Sequence, residues 1–312
     1  MMRAQSTYSH LVLVLGMLLF SISIAQAQVP GVVSQYMHNG LPLNPAIAGS
    51  AGYLTGTVSH RTQWSGFEGA PTTSVFSIHA PIKGENFGLG TVAWIDKFGV
   101  SNASSISLMG TYRLRFRKNK LYFGLSGGIQ QGQNNWQDVV TNEEGDALFE
   151  SNKSVYLTPA IGAGIYFVGK RYFASLSSPV LMNVVYGGGQ SYSGSIDLGT
   201  TPIYLNFGYH FPLSRTVALR PSAMLTRDRY QSVFSDLNLM VDYRGQIQIG
   251  ASYRTNRSLI GLIRFQMMDQ FTIAYAYDYE MSEIGTYSNG SHEVSLQFDL
   301  KRNVKALNTR FF

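Results

Sequence analysis

Ser291-His292-Glu293-Val294-Ser295-Leu296-Gln297-Phe298-Asp299-Leu300 alternates with a period of two. Successive side chains of an extended strand point to opposite faces. Val294, Leu296, Phe298 and Leu300 therefore share one face, and Glu293, Ser295, Gln297 and Asp299 share the other. A ten-residue strand, apolar on one side and polar on the other, is the repeating unit of a transmembrane β-barrel, with lipid outside and a polar lumen inside. As the last strand of the chain it is expected to pair with the first, so that no strand edge is left unpaired in lipid.

The composition agrees. Apolar residues make up 45% of the 312 residues but charged residues only 13%, against ~25% in an ordinary soluble domain. In place of charge the chain carries 32 Gly, 19 Tyr and 18 Phe; the aromatic residues favour strands and glycine suits turns and crowded interiors. The 24 basic and 18 acidic residues leave a net charge of +6. Basic residues are dispersed along the chain, which gives nucleic-acid binding no support. With no cysteine there is no disulfide, zinc-thiolate site, thiol nucleophile or lipoprotein anchor.

Residues 1–27 read as a signal peptide: Arg3 supplies the positive start, 11–20 the apolar run, and Ala25-Gln26-Ala27 a small-x-small site that predicts cleavage before Gln28. Beyond it no run approaches the ~20 apolar residues of a spanning helix. An exported chain that enters a membrane by strands belongs to the outer membrane of a diderm bacterium. Residues 28–51 form an irregular lead-in in which Pro42 and Pro45 break helix and ladder alike. It must lie outside the lipid, at the periplasmic rim or as a plug in the lumen.

Residues 52–312 are expected to form the barrel. Strands are predicted near 52–61, 72–81 and 87–97, with weak alternation, then with clearer alternation near 105–117, 121–130, 155–167, 203–211, 217–225, 237–243, 247–253, 259–265, 271–279 and 294–300. A short strand at 172–177 brings the number to about fourteen, even, as bacterial single-chain barrels require. Connections test this independently, since tight periplasmic turns should alternate with longer external loops. The connections at 82–86, 118–120, 169–171, 212–214, 245 and 268–269 are short, while 62–71, 132–153, 178–201 and 280–290 are long; the short 255–257 breaks the alternation.

Four blocks, taken together, resemble the PorP/SprF family, outer-membrane proteins associated with the type IX secretion and gliding machinery of Bacteroidota. They are Ser34-Gln35-Tyr36-Met37 with Leu43-Asn44-Pro45-Ala46-Ile47-Ala48-Gly49-Ser50; Arg61-Thr62-Gln63-Trp64-Ser65-Gly66-Phe67-Glu68-Gly69-Ala70-Pro71-Thr72-Thr73; His79-Ala80-Pro81 with Gly88-Leu89-Gly90 and Asp96-Lys97-Phe98-Gly99; and Tyr275-Ala276-Tyr277-Asp278-Tyr279 with Gly290-Ser291-His292-Glu293. His38-Asn39-Gly40 departs from the aromatic-Asn-Pro run common in members. The resemblance implies a barrel without enzymatic activity. Its implied partners are a secreted adhesin's C-terminal domain and the periplasmic and outer-membrane components of the secretion system.

Arg113, Arg115, Arg220, Arg244, Arg254 and Arg264 have lumen-facing phase, as do Asp236, Asp242, Asp278, Glu293 and Asp299. Such charges either line a channel, with weak anion preference from the arginine excess, or pair into a network filling a narrow lumen. The network is favoured, because unpaired charges away from water are costly. Trp64 and Phe67 on the 62–71 loop are candidate contacts for a partner; Trp64 fits the aromatic belt at the membrane interface equally well. Tyr36, Leu43, Asn44 and Pro45 of the lead-in plug the lumen, dock a periplasmic partner, or support the barrel rim. Asp138, Glu143, Glu144, Asp146 and Glu150 crowd the loop 132–153 but match no calcium-ligand spacing. The mature histidines, at 38, 60, 79, 210 and 292, sit in no catalytic motif. Neither cofactor nor metal is implied.

Overall fold

The computed structural model describes residues 33–82, 86–135, 156–181, 183–186, 192–195, 201–229 and 231–300. The signal peptide expected at 1–27 and the acidic residues 138–150 lie outside them. Fourteen antiparallel strands form the wall: β1 (Leu54–Thr62), β2 (Thr72–Pro81), β3 (Phe87–Phe98), β4 (Ser101–Phe116), β5 (Asn119–Asn134), β6 (Tyr156–Val168), β7 (Tyr172–Ser178), β8 (Ile203–Tyr209), β9 (Val217–Arg227), β10 (Val233–Tyr243), β11 (Ile247–Arg254), β12 (Ser258–Gln266), β13 (Phe271–Glu280) and β14 (Ser291–Leu300). Each pairs with its neighbours in sequence order. Nine pairs from Leu54↔Leu300 to Thr62↔His292 join β1 to β14 and close the cylinder. Asn183–Tyr186 and Tyr192–Ser195 make a small separate hairpin in the β7–β8 connection.

The wall is inside-out relative to a soluble protein. On β14, Val294 and Leu296 are each 47% exposed, whereas Glu293 is 1% and Asp299 4% exposed. The same inversion runs around the barrel, with Leu108, Leu125, Phe207, Leu237, Ile249 and Ile263 facing out and Thr57, Ser77, Ser126, Asn238, Ser252 and Thr272 buried within. Shielding a leucine-sized side chain from water is worth about 1.5–3 kcal/mol, so a surface of this kind is stable only where its solvent is lipid. The barrel is an outer-membrane protein.

One strand boundary and one turn differ from expectation in ways that bear on the lumen and the loops. β10 begins at Val233 rather than Leu237 because Phe234, 3% exposed, faces inward and hides the alternation there. β3 and β4 are joined by Gly99 and Val100 alone, with Gly99 at φ 52, so a second external connection is short. The weak alternation of β2 and β3 has a single cause. Val75 and Val92 face inward, and with Met109, Met224, Met240, Ile260 and Leu262 they pack against Val33, Tyr36, Met37, Leu41 and Ala48 of the lead-in.

Candidate functional site

Residues 33–51 lie inside the barrel. By the short-turn rule the lower ends of the strands are periplasmic. Ser34 and Gln35 meet Glu293 near the outer end of β14, while the carbonyl oxygen of Pro45 accepts from Thr111 in the lower half of β4 at 2.9 Å. Gly49 N–H donates to His79 Nδ1, in the lower half of β2, at 3.0 Å. The segment thus descends the lumen before the chain turns up into β1.

Its lower part is a 3-10 turn at Pro45–Ile47. Asn44 caps it, Oδ1 accepting from Ala46 N–H at 2.9 Å while Nδ2 donates to the carbonyl oxygen of Ile165 at 3.2 Å. The turn sits where β5 and β6 lack side chains. A Cβ on Gly124 would come within 2.2 Å of Ala46 N, and one on Gly164 within 2.0 Å of Asn44 Oδ1. These glycines are strand residues whose empty side permits close approach of another backbone. Asn44→Ala removes the cap and the Ile165 contact together and is expected to cost about 1–2 kcal/mol, read as a shift in the urea midpoint of the detergent-solubilised barrel.

The upper part is gripped by buried charge. Arg61 reaches Asp278 at 2.7 Å and Glu293 at 3.6 Å. Arg254 meets Asp236 at 2.6 Å and Asp278 at 4.0 Å. Two guanidinium groups against three carboxylates leave one negative charge in excess. Backbone dipoles of the lead-in answer it. Glu293 accepts from Ser34 N–H at 2.6 Å and from Gln35 N–H at 3.2 Å. Ser34 Oγ donates to Asp278 at 2.6 Å, and Arg61 donates to Ser34 Oγ at 2.8 Å. Gln35 Nε2 donates to the carbonyl oxygen of Glu293 at 2.9 Å, and Ser295 Oγ donates to Gln35 Oε1 at 2.8 Å. A buried ion cluster is favourable only when further hydrogen bonds satisfy its remaining lone pairs; here the plug supplies them to Glu293 and to one Asp278 oxygen, while Asp236 Oδ2 and Asp278 Oδ1 have no hydrogen-bond partner among the described residues.

The other candidate residues divide. Asp278, Glu293 and Arg254 belong to this cluster. Arg220 stands apart, paired with Asp242 at 2.6 Å. Arg113 is buried low in the wall, with a guanidinium nitrogen 3.5 Å from Asn86 Oδ1. Arg264 is half-buried on β12. Two arginines expected in the lumen are not within it. Arg115 keeps the inward phase but lies beyond the lead-in, exposed at the periplasmic end of β4. Arg244 is exposed in the β10–β11 turn at φ 58, where the strand alternation has ended, and lies 5.2 Å from the Tyr243 ring centroid. Arg61 is the member that sequence reasoning missed. Its signal was register, since closure sets Arg61 directly opposite Glu293.

Tyr36, Asn44 and Pro45 are all buried in the lumen, and Asn238 donates to the Tyr36 hydroxyl. Burial, then Asp236, pushes the Tyr36 phenol up, so it stays protonated. Burial, then Arg264 and Arg220, holds the neighbouring His38 imidazole well below its ordinary range. Trp64 is 6% exposed, with its backbone N–H donating to Ser291 Oγ at 3.1 Å, whereas Phe67 is 49% exposed. Of that pair only Phe67 presents a surface. A cavity of about 70 Å³ opens beneath the lead-in, lined by His38, Asn39, Thr55, Thr57, Lys120 and Gln297 among others; it has room for a handful of waters.

No curated protein matches the chain. Solved structures similar to it match at low identity. A Pseudomonas aeruginosa FadL homologue has a TM-score of 0.49 and 12% identity, covering 83% of this chain and 93% of that one. The CymD monoaromatic hydrocarbon channel has 0.49 and 11%, covering 90% and 96%. The Acinetobacter baumannii outer membrane protein Omp33 has 0.46 and 6%, covering 80% and 100%. A family model described as type IX secretion system membrane protein PorP/SprF matches residues 25–298. With the match running from ahead of the lead-in to the closing strand, the chain belongs to the PorP/SprF family of type IX secretion system membrane proteins.

Proposed function

We propose that this barrel serves type IX secretion as a closed, non-catalytic holder. Its external loops retain the C-terminal domain of a secreted adhesin-type partner, and its periplasmic end meets other components of the machinery. The observation that supports this over solute passage is the occupation of the lumen by the protein's own residues 33–51, gripped above by the charge cluster and seated below on glycines. A permeation path needs water-wide continuity, and the interior is instead packed with buried side chains. Phe67, exposed beside Glu68 in the β1–β2 loop, is the aromatic anchor best placed for a surface partner.

The test has two arms. The purified protein in planar bilayers is expected to show no steady current. A photo-crosslinker at Phe67 in cells is expected to recover a large secreted protein, and one at Leu213, exposed near the periplasmic β8–β9 connection, is not. Steady open-pore current with anion preference, or an empty crosslink at Phe67, would overturn the proposal, the first in favour of a passive porin.

A further inference from the structure

Paired residues on neighbouring strands form rows of side chains around the barrel. One outward row comprises Phe76, Val58, Leu296 and Ile273, all apolar. The next toward the outside reads Ile95, Ser74, His60, Val294 and Tyr275. The one beyond reads Lys97, Thr72, Thr62, His292 and Tyr277. The outward face passes from greasy to polar over these two steps, each about 7 Å along the strand. They mark the level at which lipid tails give way to headgroups, and they straddle the β1–β14 closure.

Polar side chains turned toward lipid are costly unless something satisfies them. Here they are organised. His60 Nδ1 lies 2.9 Å from Ser74 Oγ, and Tyr275 Oη lies 2.7 Å from His292 Nδ1. The Tyr277 ring is 5.2 Å from that of His292, and its hydroxyl donates to the carbonyl oxygen of Asn289. A hydroxyl donating to Nδ1 sets the imidazole's own proton on Nε2, where it is a donor. Lys97 is exposed at the other end of the patch.

The sign of these two rows is one-sided, with the exposed carboxylates Glu68 and Glu283 in the external loops beyond them. Asp278, Glu293 and Asp299 are buried within the lumen, and Asp96 is turned onto Thr73 and Trp94. Glu280 is engaged by buried Ser258. In these two rows the described outward face of β1, β2, β3, β13 and β14 thus carries a lysine, two imidazoles and five hydroxyls, and no carboxylate. Lys97 and His292 are three strand spacings apart, roughly 14 Å, a span suited to a phosphorylated disaccharide.

We propose that this patch binds the phosphorylated sugar headgroup of an outer-leaflet glycolipid. Phosphate oxygens accept from Lys97 and the imidazole N–H groups, while Ser74, Thr72 and Thr62 meet sugar hydroxyls. Native mass spectrometry of the mature protein in detergent tests it, with monophosphoryl lipid A, its dephosphorylated counterpart and inorganic phosphate as separate probes. The triple variant Lys97→Gln/His60→Gln/His292→Gln is expected to bind monophosphoryl lipid A about tenfold more weakly, the scale set by loss of a charge-assisted hydrogen bond. Lys118→Gln in the exposed β4–β5 turn is expected to leave binding unchanged, and inorganic phosphate to bind neither protein. Lys97→Gln alone, with heat-modifiable gel mobility as the check on folding, covers the case in which the triple variant fails to assemble; about threefold weakening is expected from it. Equal affinity for the dephosphorylated lipid, unchanged binding in the folded variants, saturation by inorganic phosphate, or displacement of lipid by a co-purifying membrane protein would each overturn the proposal.

Discussion

Replacing Arg61 by methionine is expected to destabilise the folded barrel by about 3–5 kcal/mol, the range for removing one partner from a buried ion pair. The guanidinium touches Asp278, Glu293 and Ser34 at once. Without it one arginine faces three buried carboxylates, and the backbone N–H groups of Ser34 and Gln35 cannot offset that excess. Urea unfolding in detergent, followed by the heat-modifiable band on a gel, measures the loss. Adding Glu293→Gln to Arg61→Met is expected to restore part of it, because the excess falls by one charge. An unchanged midpoint in Arg61→Met would mean that the cluster does not bind the plug to the wall.

Valine at both Gly124 and Gly164 is expected to convert a closed barrel into a conducting one. The new side chains would meet the main chain of Pro45 and Ala46 and the side chain of Asn44 at 2.0–2.4 Å. No rotamer relieves an overlap with backbone, so the seat is lost, at a cost of about 1–3 kcal/mol typical of overpacking. Planar bilayers should show steady current where the parent shows none, and protease added to the protein in liposomes should cut within residues 33–51. Gly127→Val is the control, since Gly127 is on the outer face with nothing within 4 Å of an added Cβ. Silence in the double variant would show that the lead-in holds its place without the glycine seat.

The outer skin was legible in the sequence and the interior was not. β13 and β14 announce themselves because Ile273, Tyr275, Val294 and Leu296 alternate with Thr272, Ala274, Glu293 and Ser295. Lipid tolerates no exception there. The lumen wall obeys a second pattern, set by the lead-in packed against it. Val75, Val92, Met109, Ile260 and Leu262 point inward to meet it, and each blurs the period of two in its strand. Pro42 and Pro45 exclude the lead-in from lipid without choosing between rim and lumen. The choice lies in Gly124 and Gly164, which in a list of residues look like any strand glycines, and in Arg61, whose carboxylate partners are more than two hundred residues away.

The placement of the lead-in ties biogenesis to a particular order. Its upper end is held by Glu293 and Asp278 on the last two strands made, yet it is joined to the first strand through the bottom of the lumen. The upper end of the lead-in therefore gains its hold only once β13 and β14 are in place. Zippering β1 to β14 and capturing the leader become one event, and any later parting of that seam would loosen both.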